Sequence, residues 1–375
     1  MKSVFQEGKI MFKKLFFIAL TLGLGLYSTE SSAQLFRLRV TDYGAAGALS
    51  SLIDAEIAKV QTDINKDLPG APPERLMEGM ANSSVMATKG VGTDYASNMD
   101  VFLIGAGVGI GADLEKDPTT NSDISGVGVA PGVIVGTNLG WLKSPKILGL
   151  HSNRLNVYLN FMSYNGNYQI SKETGKESDV DLGSLAMGFH LRYDLVQKRG
   201  SKLLGWGGIK VHTGFDYNKT DITFHGKINQ TVSSTNIDGA GANLSGTVTG
   251  TPTANILATT RSIPLELSTD VQLLYFLSLY GGLAADMNFG QAKGKGNLNA
   301  DESTLSCSGG ACGGGTNVKV QADANIDATG KVNPFIYRGF AGVQINLPYT
   351  RIFAQANKAF GNDLVSVTAG LRFSF

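Results

Sequence analysis

The sequence predicts an all-β membrane barrel, an antiparallel up-and-down barrel of about ten transmembrane strands (a range of roughly 10–14), preceded by an N-terminal helical segment. Three observations carry this prediction. Apolar and polar residues alternate through residues 100–375, with turn-forming residues between the alternating segments. Nearly all charged residues in these segments take the polar parity. The last segment alternates up to a terminal aromatic residue, Phe375.

The first element is an export signal. Residues 11–26 start with Met11 and two lysines and continue with an apolar run, and small residues before Ala33 allow cleavage near Ala33-Gln34. Residues 1–33 are therefore expected to be a cleaved signal peptide, with either Met1 or Met11 as the start. No later run approaches the roughly 18 apolar residues that a membrane helix requires, so any membrane span must be β.

The second element, residues 34–99, is a helical segment. After a short alternating piece around Val40, apolar residues recur at helical spacing until Pro69-Gly70, and a weaker helix is expected from Pro73 to about Met86. The apolar positions of the first helix are Leu49, Leu52, Ile53, Ile57, Val60, Ile64 and Leu68. An apolar helix face must be buried against something. Two interpretations stay open: residues 45–90 form a plug inside the barrel, or they form a periplasmic helix.

The third element, residues 100–375, is the barrel, and its first two strands carry glycine at most lumen-facing positions. Glycine lets another backbone approach closely, so these positions are expected to face a plug. The glycines concerned are Gly105, Gly107, Gly109, Gly126, Gly128 and Gly132. Leucine at Gly107 or Gly128 is then expected to block folding. The alternative is that the glycines permit strong sheet curvature.

The remaining strands place their charges on one side. A charge that faces lipid costs about 2–4 kcal/mol at the bilayer midplane, so the charged parity must face the lumen. Only Arg261 and Lys358 take the opposite parity, and both lie at strand ends. The predicted lumen cluster is His190, Arg192, Asp194, Lys210, His212, Asp216, Glu266, Asp270, Arg338 and Arg372; Asp113, Asp286 and Arg351 share its parity. A salt-bridge network that fills a small barrel is favoured over a proton relay or a substrate site.

The connections alternate between short turns and long loops, with both termini expected on the short-turn side. The two longest connections are residues 219–255 and 291–333. The second contains Cys307 and Cys312, which are expected to form a disulfide in an exported protein, because no nearby histidine completes a metal site. We expect no cofactor and no metal.

The C-terminal residues carry a family resemblance. Thr368, Gly370, Phe373 and Phe375 form a polar-x-Gly-x-x-aromatic-x-aromatic pattern that resembles the assembly signal of bacterial outer-membrane β-barrels. The resemblance covers residues 100–375 and implies an outer-membrane location, contact with its lipid, and insertion by the barrel-assembly machinery. A plug followed by a barrel is also similar in layout to the hydrophobic-compound transporters of that membrane, although the Asn-Pro-Ala signature of those transporters is missing.

Function is less constrained by the sequence. The formal net charge of +1 gives no indication of nucleic-acid binding. We expect a non-enzymatic surface barrel whose long loops serve interaction or adhesion, with an extracellular ligand or a host or cell-surface partner. The alternatives are a narrow channel or plugged transporter of small or hydrophobic solutes and, with least support, a hydrolase, because no Ser-His-acid constellation is evident.

Overall fold

The chain forms a closed antiparallel barrel in a computed structural model that describes residues 37–66, 73–96, 101–114, 124–142, 145–147, 149–171, 178–201, 203–234, 239, 241–299, 303–312 and 315–375. The expected signal peptide and its cleavage site lie outside these residues. Within the described part, ten strands form the ring: β1 (Phe102–Leu114), β2 (Ile124–Asn138), β3 (Leu155–Ser171), β4 (Ser178–Val196), β5 (Leu204–Gly226), β6 (Asn243–Leu273), β7 (Leu277–Asn299), β8 (Phe335–Asn346), β9 (Thr350–Ala359) and β10 (Leu364–Ser374).

Each barrel strand pairs with the next along the chain, and β10 closes the ring on β1. The closing ladder runs from Leu364 opposite Asp113 to Ser374 opposite Leu103. The predicted fold class, an antiparallel barrel of about ten strands after a helical segment, is confirmed.

Side-chain alternation explains why these strands close into a barrel. On β6, Leu265 is 58% exposed and Leu267 is 50% exposed on the outer surface, whereas the intervening Glu266 is buried. The same parity holds around the ring, so the outer surface is an apolar belt and the interior is polar. Arg261 and Lys358, the two charges predicted to face outward, are exposed as their parity requires.

The two ends of the barrel differ. One end, called the turn end, carries the tight bend 274–276, the bend 347–349 and the C-terminal residue Phe375. It also carries short elements: the strands Lys146–Ile147, Leu150–His151 and Arg199–Gly200, and the 3₁₀ turns Leu139–Trp141 and Ser152–Arg154. The other end, called the loop end, carries the longer connections.

At the loop end, the structure replaces the two predicted long loops with strands. β5, β6 and β7 continue beyond the ring and join the strands Arg37–Asp42, Ile228–Ser234, Ser303–Ser308 and Thr316–Lys331. We call this extension the outer sheet. The loop interpretation of residues 219–255 and 291–333 is wrong where these strands lie. The strands alternate among small residues such as Thr, Ser, Gly and Ala, whose hydropathies differ little, so the alternation is hard to see in the sequence.

The first helix packs on the outer sheet. A 3₁₀ turn (Gly44–Leu49) leads into α1 (Ser50–Lys66), whose buried Ile53 and Ile57 share a core with Leu244 and Leu305. Cys307 and Cys312 are joined as a disulfide in the same core. We call the outer sheet with α1 the outer lobe. The plug interpretation of residues 45–90 is therefore wrong for α1, because its apolar face is buried at the loop end and not in the lumen.

The second helix, α2 (Pro73–Thr88), lies inside the barrel. Residues 79–95 are buried, and α2 contacts β1, β2, β5, β6, β7 and β10. We call residues 73–96 the lumen segment. Among the described residues, neither helix combines the length and the apolar character of a bilayer-spanning helix.

Candidate functional site

Glycines on β1 and β2 form the wall against which α2 lies. A Cβ atom at Gly109 would overlap the carbonyl oxygen of Ala87, and one at Gly128 would lie 2.5 Å from both the carbonyl carbon of Ser83 and the Cα of Ser84. Gly126 likewise faces the backbone of α2, and Gly132 faces the side chain of Val91. The helix backbone therefore sits directly on a surface without side chains, which only glycine provides.

Two of the six predicted plug-facing glycines do not face the lumen segment. A Cβ atom at Gly105 would meet the Cγ of Arg372 at 2.8 Å, and one at Gly107 would meet the carbonyl oxygen of Ala369 at 3.1 Å and then Phe353. These residues belong to the neighbouring barrel strands. Near the turn end the large side chains of the wall, and not the lumen segment, occupy the space beside β1.

At the loop end, polar contacts hold the start of the lumen segment. Arg75 is paired with Asp113 on β1, with 3.2 Å between the guanidinium nitrogen Nη2 and the carboxylate oxygen Oδ1. The amide of Asn218 on β5 donates to the carbonyl oxygen of Ser84 at 3.1 Å. The Arg75 pair fixes where α2 enters the barrel, and the Asn218 bond holds the middle of the lumen segment.

Lys89, at the end of α2, is the central cation of the lumen. Its amine donates to the hydroxyl of Ser262 at 2.6 Å and lies 3.3 Å from a carboxylate oxygen of Asp216 and 3.7 Å from one of Asp286. The side chain is 1% exposed. A buried ammonium group requires such partners, because an unpaired charge inside a protein is costly. Lys89 lies in the helical segment and not on a strand, so the alternation that marks inward charges does not identify it.

Asp94 binds the arginines near the turn end. Its carboxylate lies 3.3 Å from Arg372 and 3.7 Å from Arg351, and its carbonyl oxygen accepts from Arg192 at 2.6 Å. The carbonyl oxygen of Thr93 also accepts from Arg372, at 2.6 Å. Three inward arginines of the barrel wall are thus bound by two residues of the lumen segment.

Tyr95 fills the space in the lumen between Glu266, Lys210 and Tyr280. Its hydroxyl donates to Glu266 at 2.7 Å, and its carbonyl oxygen accepts from Lys210 at 2.5 Å. Its ring stacks on Tyr280, with ring centroids 5.6 Å apart. Tyr95 therefore combines apolar packing with a satisfied hydroxyl, as buried tyrosines usually do.

The structure joins the predicted lumen cluster through ion pairs, except for His212, whose partner is the hydroxyl of Ser268. His190 lies 3.0 Å from Asp216, Lys210 lies 2.5 Å from Asp270, and Arg192 lies 3.3 Å from Asp194. Arg338 pairs with both Glu266 and Asp286. Every member of the predicted cluster lies on the inner side of the barrel. The arrangement is a network of neutralised charges that joins the wall to the lumen segment.

One pair in the lumen has the residue types of a hydrolytic site. His212 Nε2 lies 2.8 Å from the hydroxyl of Ser268, but both residues are buried, and His212 Nδ1 has no partner among the described residues. A carboxylate at Nδ1 is what orients the histidine in a catalytic triad. The pair has neither that orientation nor access to solvent.

Comparisons with known proteins place these features in a family. The sequence model of the family described as "Lsa36-like" matches residues 32–375. No curated protein sequence matches the chain.

Several solved barrel structures are similar in part. The translocator domain of the autotransporter NalP from Neisseria meningitidis is 11% identical, with a TM-score of 0.31, and the match covers 92% of this chain and all of that one. The transport unit of the autotransporter AIDA-I from Escherichia coli is 12% identical, with a TM-score of 0.29 and coverage of 81% and 100%. The CymD monoaromatic hydrocarbon channel is 13% identical, with a TM-score of 0.23 and coverage of 80% and 98%. At scores this low, the likeness says nothing about what this chain binds.

Proposed function

The chain belongs to the Lsa36-like family, and on that premise we propose that it is a non-enzymatic surface barrel of the bacterial outer membrane that acts through its outer lobe. The proposal is supported by the contrast between the barrel lumen and the loop end. The lumen is occupied by a buried segment of the same chain, and the exposed polar surface is concentrated at the loop end.

The location is supported by the surface of the barrel. An apolar belt encircles it, and exposed aromatic residues such as Trp141, Tyr275 and Phe375 mark the turn end, as in barrels that sit in lipid. The turn end is then periplasmic and the loop end extracellular, because periplasmic turns are short in this class. The C-terminal pattern from Thr368 to Phe375 is the expected signal for the assembly machinery.

The outer lobe offers a surface suited to interaction or adhesion. Its apolar side chains point toward α1, so the opposite parity is exposed and is rich in hydroxyl and amide groups. The exposed residues on two of its strands are Asn243, Ser245, Thr247, Thr249, Thr304, Ser306 and Ser308. An uncharged hydrogen-bonding face of this kind can bind an extended peptide or a glycan of an extracellular partner through polar contacts.

A plugged transporter of small or hydrophobic solutes is the second candidate. It is favoured by the contact between α2 and a wall of glycines. No wall side chains interlock with the helix there, so the helix can move along the lumen or leave it without a steric barrier from them. The ion pairs of Lys89 and Asp94 would then have to be broken for the lumen to open. A hydrolytic function has least support, because the pair His212 and Ser268 is buried.

A binding experiment tests the proposed function. Vesicles with the refolded chain from residue 34, labelled with a fluorescent lipid, are added to monolayers of cultured epithelial cells, and retained fluorescence is measured. Lysine substitutions of Ser245, Thr247 and Ser306 alter the exposed face of the outer sheet, while Gln197→Lys at the turn end is the matched control. We expect the triple variant to fall to the level of protein-free vesicles and the control to bind like the wild type. Equal retention by all three proteins would refute an adhesive role for this face.

A further inference from the structure

The lumen segment has a defined direction through the barrel. Arg75, near its start, pairs with Asp113, which lies opposite Leu364 at the loop end of β10. Asp94, near its end, pairs with Arg372, which lies opposite Gly105 near the turn end. These two levels are eight residue steps apart on β10, which corresponds to roughly 27 Å along the strand. The chain therefore passes from the loop end to the turn end before it begins β1.

The residues before the lumen segment lie far beyond the loop end. The strand Arg37–Asp42 pairs with residues 319–323, which belong to the strand Thr316–Lys331 of the outer sheet. That strand pairs with β7 from Gln291 opposite Lys331 out to Asn299 opposite Asp323. Eight residues of β7 extend the sheet by roughly 27 Å before the N-terminal strand is reached.

The contacts that hold this position are apolar and shared. Leu49, Ile53 and Ile57 are buried with Leu244 and Val248 of the outer sheet. Withdrawing α1 to the turn end would expose all of these side chains, at about 1.5–3 kcal/mol for each fully buried large side chain. Residues 37–66 are therefore part of the folded outer lobe and not a loosely attached extension.

We infer that residues 37–66 lie on the extracellular side of the outer membrane, so that the chain crosses this membrane once through its own barrel, as the lumen segment, before it crosses as ten strands. This inference rests on the proposed outer-membrane location. It corrects the expectation that both ends of the mature chain are periplasmic: the C-terminal strand ends at the turn end, whereas α1 is delivered to the cell surface. The N-terminal segment then covers the face of the outer sheet that lies opposite the proposed binding face.

The experiment labels single cysteines in the full chain on living cells with a membrane-impermeant maleimide. Ala55→Cys places a thiol on the exposed face of α1, Thr247→Cys on the exposed face of the outer sheet, and Gln197→Cys at the turn end. The native Cys307 and Cys312 form a buried disulfide, so the wild-type chain serves as the unlabelled blank. Heat-modifiable migration in gels verifies that each variant is folded.

We expect the thiols at Ala55 and Thr247 to be labelled on intact cells to the same extent as after permeabilisation, and the thiol at Gln197 to be labelled only after permeabilisation. If the thiol at Thr247 reacts on intact cells while that at Ala55 requires permeabilisation, threading is overturned but the surface location of the barrel stands. If neither reacts on intact cells, the proposed outer-membrane orientation fails and the inference fails with it. Should the Ala55 variant not fold, Ala58→Cys offers a second exposed position on α1.

Discussion

A methyl group at Gly128 should destabilise the protein, because the backbone of α2 occupies the place where the Cβ atom would lie. The new atom would lie 2.5 Å from the carbonyl carbon of Ser83 and the Cα of Ser84, and neither atom can rotate away. Overpacking in a tight site costs about 1–3 kcal/mol, and contact with backbone places Gly128→Ala at the upper end of that range. Alanine is favoured over glycine in a strand by roughly 0.5–1 kcal/mol. The net loss in unfolding free energy is therefore about 2 kcal/mol.

Gly107→Ala is the matched control on the neighbouring strand. Its Cβ atom would lie 3.1 Å from the carbonyl oxygen of Ala369 and 3.4 Å from the edge of the Phe353 ring, so small adjustments suffice. The packing cost and the gain in strand propensity then nearly cancel, and we expect a change within about 0.5 kcal/mol. Urea unfolding in lipid vesicles, followed by tryptophan fluorescence, gives both values. Equal losses for the two variants, or no loss for Gly128→Ala, would refute the contact between α2 and the glycine wall.

Deleting residues 34–95, which removes the lumen segment together with α1, separates contact with α2 from sheet curvature as the reason for glycine at this position. In a chain that lacks residues 34–95, Gly128→Ala has no helix to displace, so its destabilisation should vanish. If glycine is required at Gly128 because the sheet bends there, the loss persists in the shortened chain. The comparison is a double-mutant cycle between the wall and the segment that it supports.

Three further predictions concern single contacts. Lys89→Met leaves its buried carboxylate partners short of one cation and should lower the unfolding free energy by about 3–5 kcal/mol in the same urea assay, with Lys89→Arg partly restoring it. Replacing both Cys307 and Cys312 by serine opens a loop with a sequence separation of 5 and should destabilise the outer lobe by about 2 kcal/mol, seen as faster hydrogen exchange there with unchanged barrel strands. The hydroxyl of Tyr43 donates to Asp54 at 2.6 Å, and this bond raises the pKa of Tyr43 above its ordinary value of 10.0. Its stabilisation is therefore complete at neutral pH and lost as the pH rises through the folded pKa, so Tyr43→Phe should lower the unfolding free energy at about pH 7 and leave it unchanged above that pKa in the same urea assay.

The sequence was sufficient to predict the barrel because the pattern behind it is local. Alternation with a period of two, together with the cost of a charge in lipid, determines which residues face inward, and this holds for Glu266, Arg338 and Arg372 alike. The two helices were likewise predictable from their apolar spacing and from Pro73 at the start of α2.

The partners inside the lumen could not be predicted, because they depend on how deep the lumen segment reaches and in which direction it runs. Lys89, Asp94 and Tyr95 meet residues more than a hundred positions later in the chain, and no local pattern encodes those distances. Gly105 and Gly109 both lie between apolar residues on the same parity of β1, yet a Cβ atom at Gly105 would meet β10 and one at Gly109 would meet α2. The apolar face of α1 indicated that a partner exists, but not that the outer sheet supplies it.

The occupied lumen is tested most directly by single-channel conductance in planar bilayers, measured for the refolded chain from residue 34 and for the variant that lacks residues 34–95. An α-helix with its side chains is about 10–12 Å across, so its removal should leave a water-filled path along the glycine wall. We predict that the full chain is closed and that the shortened barrel conducts, with little preference for cations or anions because the lumen carries charges of both signs. Conductance of the same size from both proteins would contradict the placement of the lumen segment inside the barrel.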